Sequence, residues 1–164
     1  MALYTTGNKN SATPSQTNLA TTYTAAGHSL SLTAATATLR RAFIYEFDVG
    51  ADGTPNATDC AIAWDISAQT TLGTGVATTA TTLDQADAAT GMVVTANYTI
   101  IPIITASSSR WSLAANQRAS YRWVVNPGGP GELVVPATNV AGLVIRALSA
   151  TYASTVMTQM FFRE

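Results

Sequence analysis

Charge is what this sequence has least of. Only 10% of its 164 residues are charged, eight basic and nine acidic, for a formal net charge of −1. Soluble domains usually carry about a quarter. There is one histidine, His28, and one cysteine, Cys60. A metal centre built on several histidines, as in cupin-type enzymes, cannot be assembled from one. A lone cysteine excludes an internal disulfide. As a nucleophile Cys60 would need a basic neighbour that the sequence does not supply. Recognition of nucleic acid through its phosphates needs a basic face. The only adjacent basic pair is Arg40-Arg41, so no nucleic-acid partner is expected. No run approaches the roughly 18 apolar residues of a membrane helix, so no membrane partner is expected either. Met1-Ala-Leu-Tyr-Thr-Thr-Gly7 has neither a basic region nor a long apolar run. A secretory leader is therefore not expected, and the protein is read as made and assembled in cytoplasm.

What is present is small and β-branched. Alanine and threonine make up about a third of the chain, and Leu, Ile, Val and Phe together about a fifth. With so little net charge nothing drives the chain toward disorder, and a single domain with a lean core is expected. Residues 1–27 are rich in Asn, Ser, Thr, Gln and Gly. They read either as an extended arm lying on a neighbour or on the domain, or as a disordered terminus. From residue 28 onward, apolar and polar residues alternate with period two between turn signals, the pattern of half-buried strands. In Ala42–Val49, Phe43, Tyr45, Phe47 and Val49 fall on one face and Glu46 and Asp48 on the other. In 59–66, Cys60, Ile62, Trp64 and Ile66 share the inner face, with Asp59 and Asp65 outward. Pro102 interrupts the β-branched run from Met92 to Ile104 and marks an edge or a bulge. Tyr121, Trp123 and Val125 point inward, whereas Trp111, after Ser107-Ser-Ser-Arg110, is expected in a loop. Val93, Ile101 and Ile103 face outward. The one helical signal is Thr81 with Asp84 at capping-box spacing and Gly91 as the stop. About eight strands and at most one short helix predict an all-β, jelly-roll-like antiparallel β-sandwich over 28–164, in preference to an immunoglobulin-type sandwich.

The residues that could carry chemistry fall short of any known constellation. Asp48, Asp52, Asp59 and Asp65 surround one loop, and oxygen-rich loops bind calcium, but the spacing is not that of an EF-hand and lacks its closing Glu. Asn126-Pro-Gly-Gly-Pro-Gly131 is followed by Glu132 and not by Lys-Ser, so it reads as a hairpin loop and not a phosphate cradle. No serine sits in a Gly-x-Ser-x-Gly elbow, and His28 lies in a Gly-His-Ser turn context. No catalytic residue, cofactor or metal site is expected. Arg118 and Arg122 are four apart, hence on one face of a strand beside Tyr121 and Trp123. They are candidate protein contacts, as are Tyr4 and Tyr23 of the N-terminal segment.

Asn116-Gln-Arg118-Ala-Ser-Tyr121-Arg122-Trp123-Val-Val-Asn-Pro-Gly-Gly129 is the most specific run in the chain. Glu132-Leu-Val-Val-Pro136-Ala-Thr-Asn139-Val-Ala-Gly142-Leu follows it. This succession resembles a group of small tailed-phage and prophage capsid decoration (cement) proteins of jelly-roll form, similar in layout to tumour-necrosis-factor-like trimers. The resemblance spans about residues 40–164 and is best over 115–148. It implies a homotrimer on the virion, bound to the major capsid protein on the outer head surface and stabilising the shell without catalysis. The alternative is a carbohydrate- or receptor-binding module of a phage tail or fibre. With no His or Cys cluster, a calcium or zinc chelator should leave the melting temperature unchanged. A large drop with a calcium chelator would make the Asp48–Asp65 loop a binding site.

Overall fold

A segment that alternates apolar and polar residues can hide one face only if its backbone donors and acceptors pair with another strand. The computed structural model describes residues 1–8, 21–22, 28–51, 53–149, 151–152 and 155–164, and pairing of this kind organises nearly all of them. The strands are β1 (Leu3–Gly7), β2 (Thr21–Thr22), β3 (His28–Ala34), β4 (Ala42–Ala51), β5 (Ala61–Thr71), β6 (Thr74–Thr78) and β7 (Thr81–Thr82). They continue as β8 (Met92–Ile100), β9 (Ile103–Asn116), β10 (Ser120–Val124), β11 (Leu133–Val135), β12 (Gly142–Leu148) and β13 (Thr155–Arg163).

All strand pairs are antiparallel, and they form two sheets. One has the order β10-β4-β13-β1-β7, with β11 also on β4 and β2 on β13; the other has the order β6-β8-β3-β12-β5-β9. Leaving aside the short or inserted β2, β6, β7, β8 and β11, the remaining strands pair first with last (β1·β13), second with seventh (β3·β12), third with sixth (β4·β10) and fourth with fifth (β5·β9). That is a long hairpin rolled up on itself, the jelly-roll arrangement. The two sheets pack as a sandwich around Phe47, Met160, Phe162 and Tyr4 from one side and Leu30, Leu32, Ile62, Trp64, Ile66 and Ile145 from the other.

Four local expectations need correction. Among the described residues there is no helix. Thr81–Thr82 pairs with Tyr4 and Thr5 of β1, and the Asp84 carboxylate accepts from the Ala86 N–H at 2.9 Å, closing an Asx turn instead of capping a helix. β1 belongs to the seven-stranded sheet, so this part of the expected arm lies within the domain. Residues 9–20 and 23–27 lie outside the described residues. In β4 the partner Phe161 sits opposite Glu46 and Phe162 opposite Ile44, which leaves Tyr45 as the extra residue of a bulge. The bulge reverses the facing: Ala42 and Ile44 join Phe47 and Val49 in the core, while Phe43 turns out beneath the Arg163 guanidinium, 4.1 Å from its ring centre. Finally, Trp111 is a β9 residue opposite Ile66, packed against the core and not in a loop.

Residues 61–78 run beside 94–116 as one antiparallel ribbon, yet its halves lie at opposite edges of the six-stranded sheet. The ribbon bends where Leu72-Gly73 and Ile101-Pro102 interrupt its two strands. Gly73 permits the bend, because a Cβ there would lie 2.3 Å from the Ile100 carbonyl oxygen and 2.8 Å from the Pro102 nitrogen. These are backbone atoms with no room to yield, so Gly73→Ala should destabilise the fold by about 1–3 kcal/mol. The expected result is a melting temperature lower by roughly 3–10 °C. Val76→Thr, at an exposed position of β6, should leave it nearly unchanged.

Candidate docking surfaces

Among the described residues four arginines are matched with four carboxylates. Arg118 pairs with Asp59 at 2.8 Å, Arg122 with Glu46 and Arg163 with Glu132 at 2.6 Å, and Arg146 with Asp65. The Arg118–Asp59 pair is more than half exposed and contributes little to stability. The Arg163–Glu132 pair is different, because the Glu132 side chain is only 5% exposed. Its two oxygens take a two-pronged contact from Arg163, and Oε1 also accepts the Gly128 N–H at 2.8 Å. The hairpin loop 126–131 is thus tied to the last strand.

Asp65 sits on the outer face of the six-stranded sheet, as its position in β5 predicts, but it is covered and not solvated. Arg146 Nε donates to Asp65 Oδ2 at 2.8 Å and Ser67 Oγ donates at 2.5 Å; Arg146 Nη2 and Ser109 Oγ complete the shell. Ser109 reaches Asp65 because β9 is irregular there. Ser107 has φ 56°, in the left-handed region, and the register shifts on both sides of Ser67. In the same stretch Ser108 Oγ bonds both the N–H and the carbonyl of Ala68. The serine run that looked like a loop is a bulge within a strand.

At the edges of both sheets, β9 and β10 carry an aromatic group. Trp123 stacks on Phe47 with ring centres 5.0 Å apart, Trp111 meets Phe47 edge-on at 4.7 Å, and Tyr121 tilts against Trp111 at 5.6 Å. Tyr121 and Trp123 share a face, as alternation predicts. Tyr121 nevertheless remains 38% exposed, so the inward expectation fails for it.

The expected contact residues scatter. Tyr4 is a core residue, 3% exposed, stacked on Phe162 and donating its hydroxyl to the Ala88 carbonyl; it offers no contact surface. Tyr23 lies outside the described residues. Arg122 is in β10, but Arg118 belongs to the turn before that strand, so the two do not share a strand face. The aspartates of the presumed calcium loop also diverge. Asp59 and Asp65 are each engaged by an arginine, Asp48 lies in β4 opposite Arg122, and Asp52 is outside the described residues. Among the described residues no group of three His, Cys, Asp or Glu side chains could hold a metal. The backbone of His28 pairs with Arg146. Cys60 is half-buried, its Sγ 3.5 Å from Gln117 Oε1.

The bend of the ribbon creates the surface that stands out. Leu72, Ile100, Ile101 and Ile103 come together there with exposures of 44, 63, 45 and 61%. Thr71 pairs with Ile103 and Thr74 with Ile100, which places the two turns side by side. The sequence marks Ile101 and Ile103 as outward. Leu72 joins them only because the ribbon bends, a feature signalled by the paired Leu-Gly and Ile-Pro interruptions. Comparison of the chain with protein-family models, curated proteins and solved structures returns no match.

The acid sensitivity of the fold follows from its buried carboxylates. The Arg163 hydrogen bonds hold Glu132 below its ordinary value of 4.5, outweighing the opposing effect of burial. A depressed folded-state value contributes stability that is complete above 4.5 and is lost as pH falls through the folded value. Asp65 behaves alike: burial opposes its charge most strongly, but Ser109, Ser67 and Arg146 together hold it low. Glu132→Gln should cost about 1.5–3 kcal/mol at neutral pH. It should also flatten the acid limb of melting temperature against pH, as calorimetry from pH 2 to 7 would register.

Proposed function

We propose that this chain is a non-enzymatic virion structural protein, a capsid decoration protein that binds the major capsid protein on the outer head surface and stabilises the shell. The observation that carries this reading is the Leu72–Ile100–Ile101–Ile103 corner. It is an apolar projection on a body with few charges, four arginines of which are paired with carboxylates. Such a surface binds through area and shape and not through charge. The resemblance of residues 115–148 to phage cement proteins supports the same reading. A homotrimer fits as well, because among the described residues β9 and β10 each end a sheet, and a closed ring of subunits can cover such edges. A second reading, a receptor- or carbohydrate-binding module of a tail or fibre, is favoured by the part-exposed Tyr121 beside Trp111.

Purified protein should sediment near three times 17.0 kDa. It should rebind to heads lacking it with little dependence on salt, since few charges are there to be screened. Ile100→Asp with Ile103→Asp should abolish rebinding while leaving the melting temperature unchanged, because both side chains are already in water. Virions without the protein should rupture at lower temperature yet infect normally while intact. Particles of full thermal stability that fail to adsorb to cells would replace this reading with the receptor-binding one.

A further inference from the structure

The outer face of the six-stranded sheet carries an ion pair that the docking reading does not use. Arg146 and Asp65 sit there with side chains only 21 and 8% exposed, in a chain that has few charges to place. Depressions open on both sides of the guanidinium. One, of about 340 Å³, is lined by Ser67, Thr105, Ser107, Ser108, Ser109 and Arg146. The other, of about 400 Å³, is lined by Ala63, Ser112, Leu113, Ala114, Leu148 and Arg146. The first is walled mainly by hydroxyls, with Ile104 and Ala106 beside them, and the second mainly by apolar groups around Asp65. The bulge at Ser107, held at a φ of 56° that a serine adopts at a cost, is what turns this serine run toward Arg146.

We infer that this groove is a saccharide-binding site, with Arg146 as its central donor and the two depressions holding successive sugar units. The lining chemistry selects the ligand. Asp65 neutralises Arg146 and fixes its plane through Nε and Nη2, so the groove as a whole has no net charge to attract an anion. Arg146 still presents its other terminal nitrogen as a donor, and the neighbouring hydroxyls both donate and accept. A sugar ring matches that pattern, with hydroxyls at its rim and C–H groups on its faces. Its rim fits the serine-lined depression, and the C–H face of the next unit covers Ala63, Ala114 and Leu148, which share the outer face with Arg146. The groove does not depend on the capsid-docking reading, although Ile104 borders both it and the apolar corner.

A glycan array probed with the full-length protein should give neutral oligosaccharide hits. Titration calorimetry on the strongest hit should then return a measurable affinity. Arg146→Lys keeps the charge opposite Asp65 but removes the planar fork, and should weaken binding about tenfold or more. Thr105→Val, at the far end of the groove, should weaken it about threefold, the loss of roughly one neutral hydrogen bond. The melting curve of Thr105→Val should overlay the parent; that of Arg146→Lys should fall by a few degrees, since a hydrogen bond to Asp65 is lost, so its affinity is measured well below its own melting temperature. The Ile100→Asp, Ile103→Asp protein should bind the glycan as the parent does, which separates this site from capsid docking. The inference is overturned if no glycan is bound above the heat-denatured control. It is equally overturned if Arg146→Lys binds as tightly as the parent, or if only acidic glycans or free peptides are retained.

Discussion

Everything in this structure depends on two apolar sheet faces being pressed together by a sequence with little apolar mass to offer. Large side chains are few, so each is placed where it serves both sheets. Phe47 illustrates the economy. From the middle of β4 it supports Trp123 on its own sheet and Trp111 on the other, and so ties together the edges that β10 and β9 leave open. Trp64 fills the core from the facing sheet, 1% exposed, opposite Ala147 of β12 and Leu113 of β9. Threonine and alanine fill the rest, and the β-branched threonines hold extended backbone whether they face in or out.

Fold class was legible because period-two alternation survives in almost every strand. The local facing of residues was less so, wherever pairing partners decide it. Nothing in Ala42–Val49 marks Tyr45 as a bulge residue; the extra residue exists only relative to β13. Thr81 and Asp84 have the spacing of a helix cap, but an Asx turn uses the same carboxylate in the same way. Tyr4 looked like part of a polar arm because threonines surround it, and only its place between β13 and β7 buries it. Of the exposed residues at the ribbon's bend, Ile101 and Ile103 could be read directly. Leu72 could not, since its partners arrive through a bend that no short window contains.

The placement of charge separates the surfaces by character. Ion pairs occupy the outer sheet faces and the hairpin loops, where they fix Glu132 and Asp65 in position, while the corner at the ribbon's bend carries aliphatic side chains. Fixed charge and exposed apolar surface are thus assigned to different parts of the molecule. A large uncharged projection is a hazard in a free protein and an asset in one that is always covered.

The central strands of the two sheets, β13 and β12, also follow in the chain every strand they pair with. β12 joins β3 to β5, and β13 joins β1 to β4. A chain emerging from the ribosome therefore holds β1, β3, β4 and β5 each with one side open until β12 and β13 appear. Neither sheet can close before β12 and β13 have been made, and such non-local pairing is slow. During that interval the low charge that suits the folded surface gives little protection against strand-to-strand association. Expression at high rate should therefore be limited by the lifetime of the nascent chain and not by the stability of the finished sandwich.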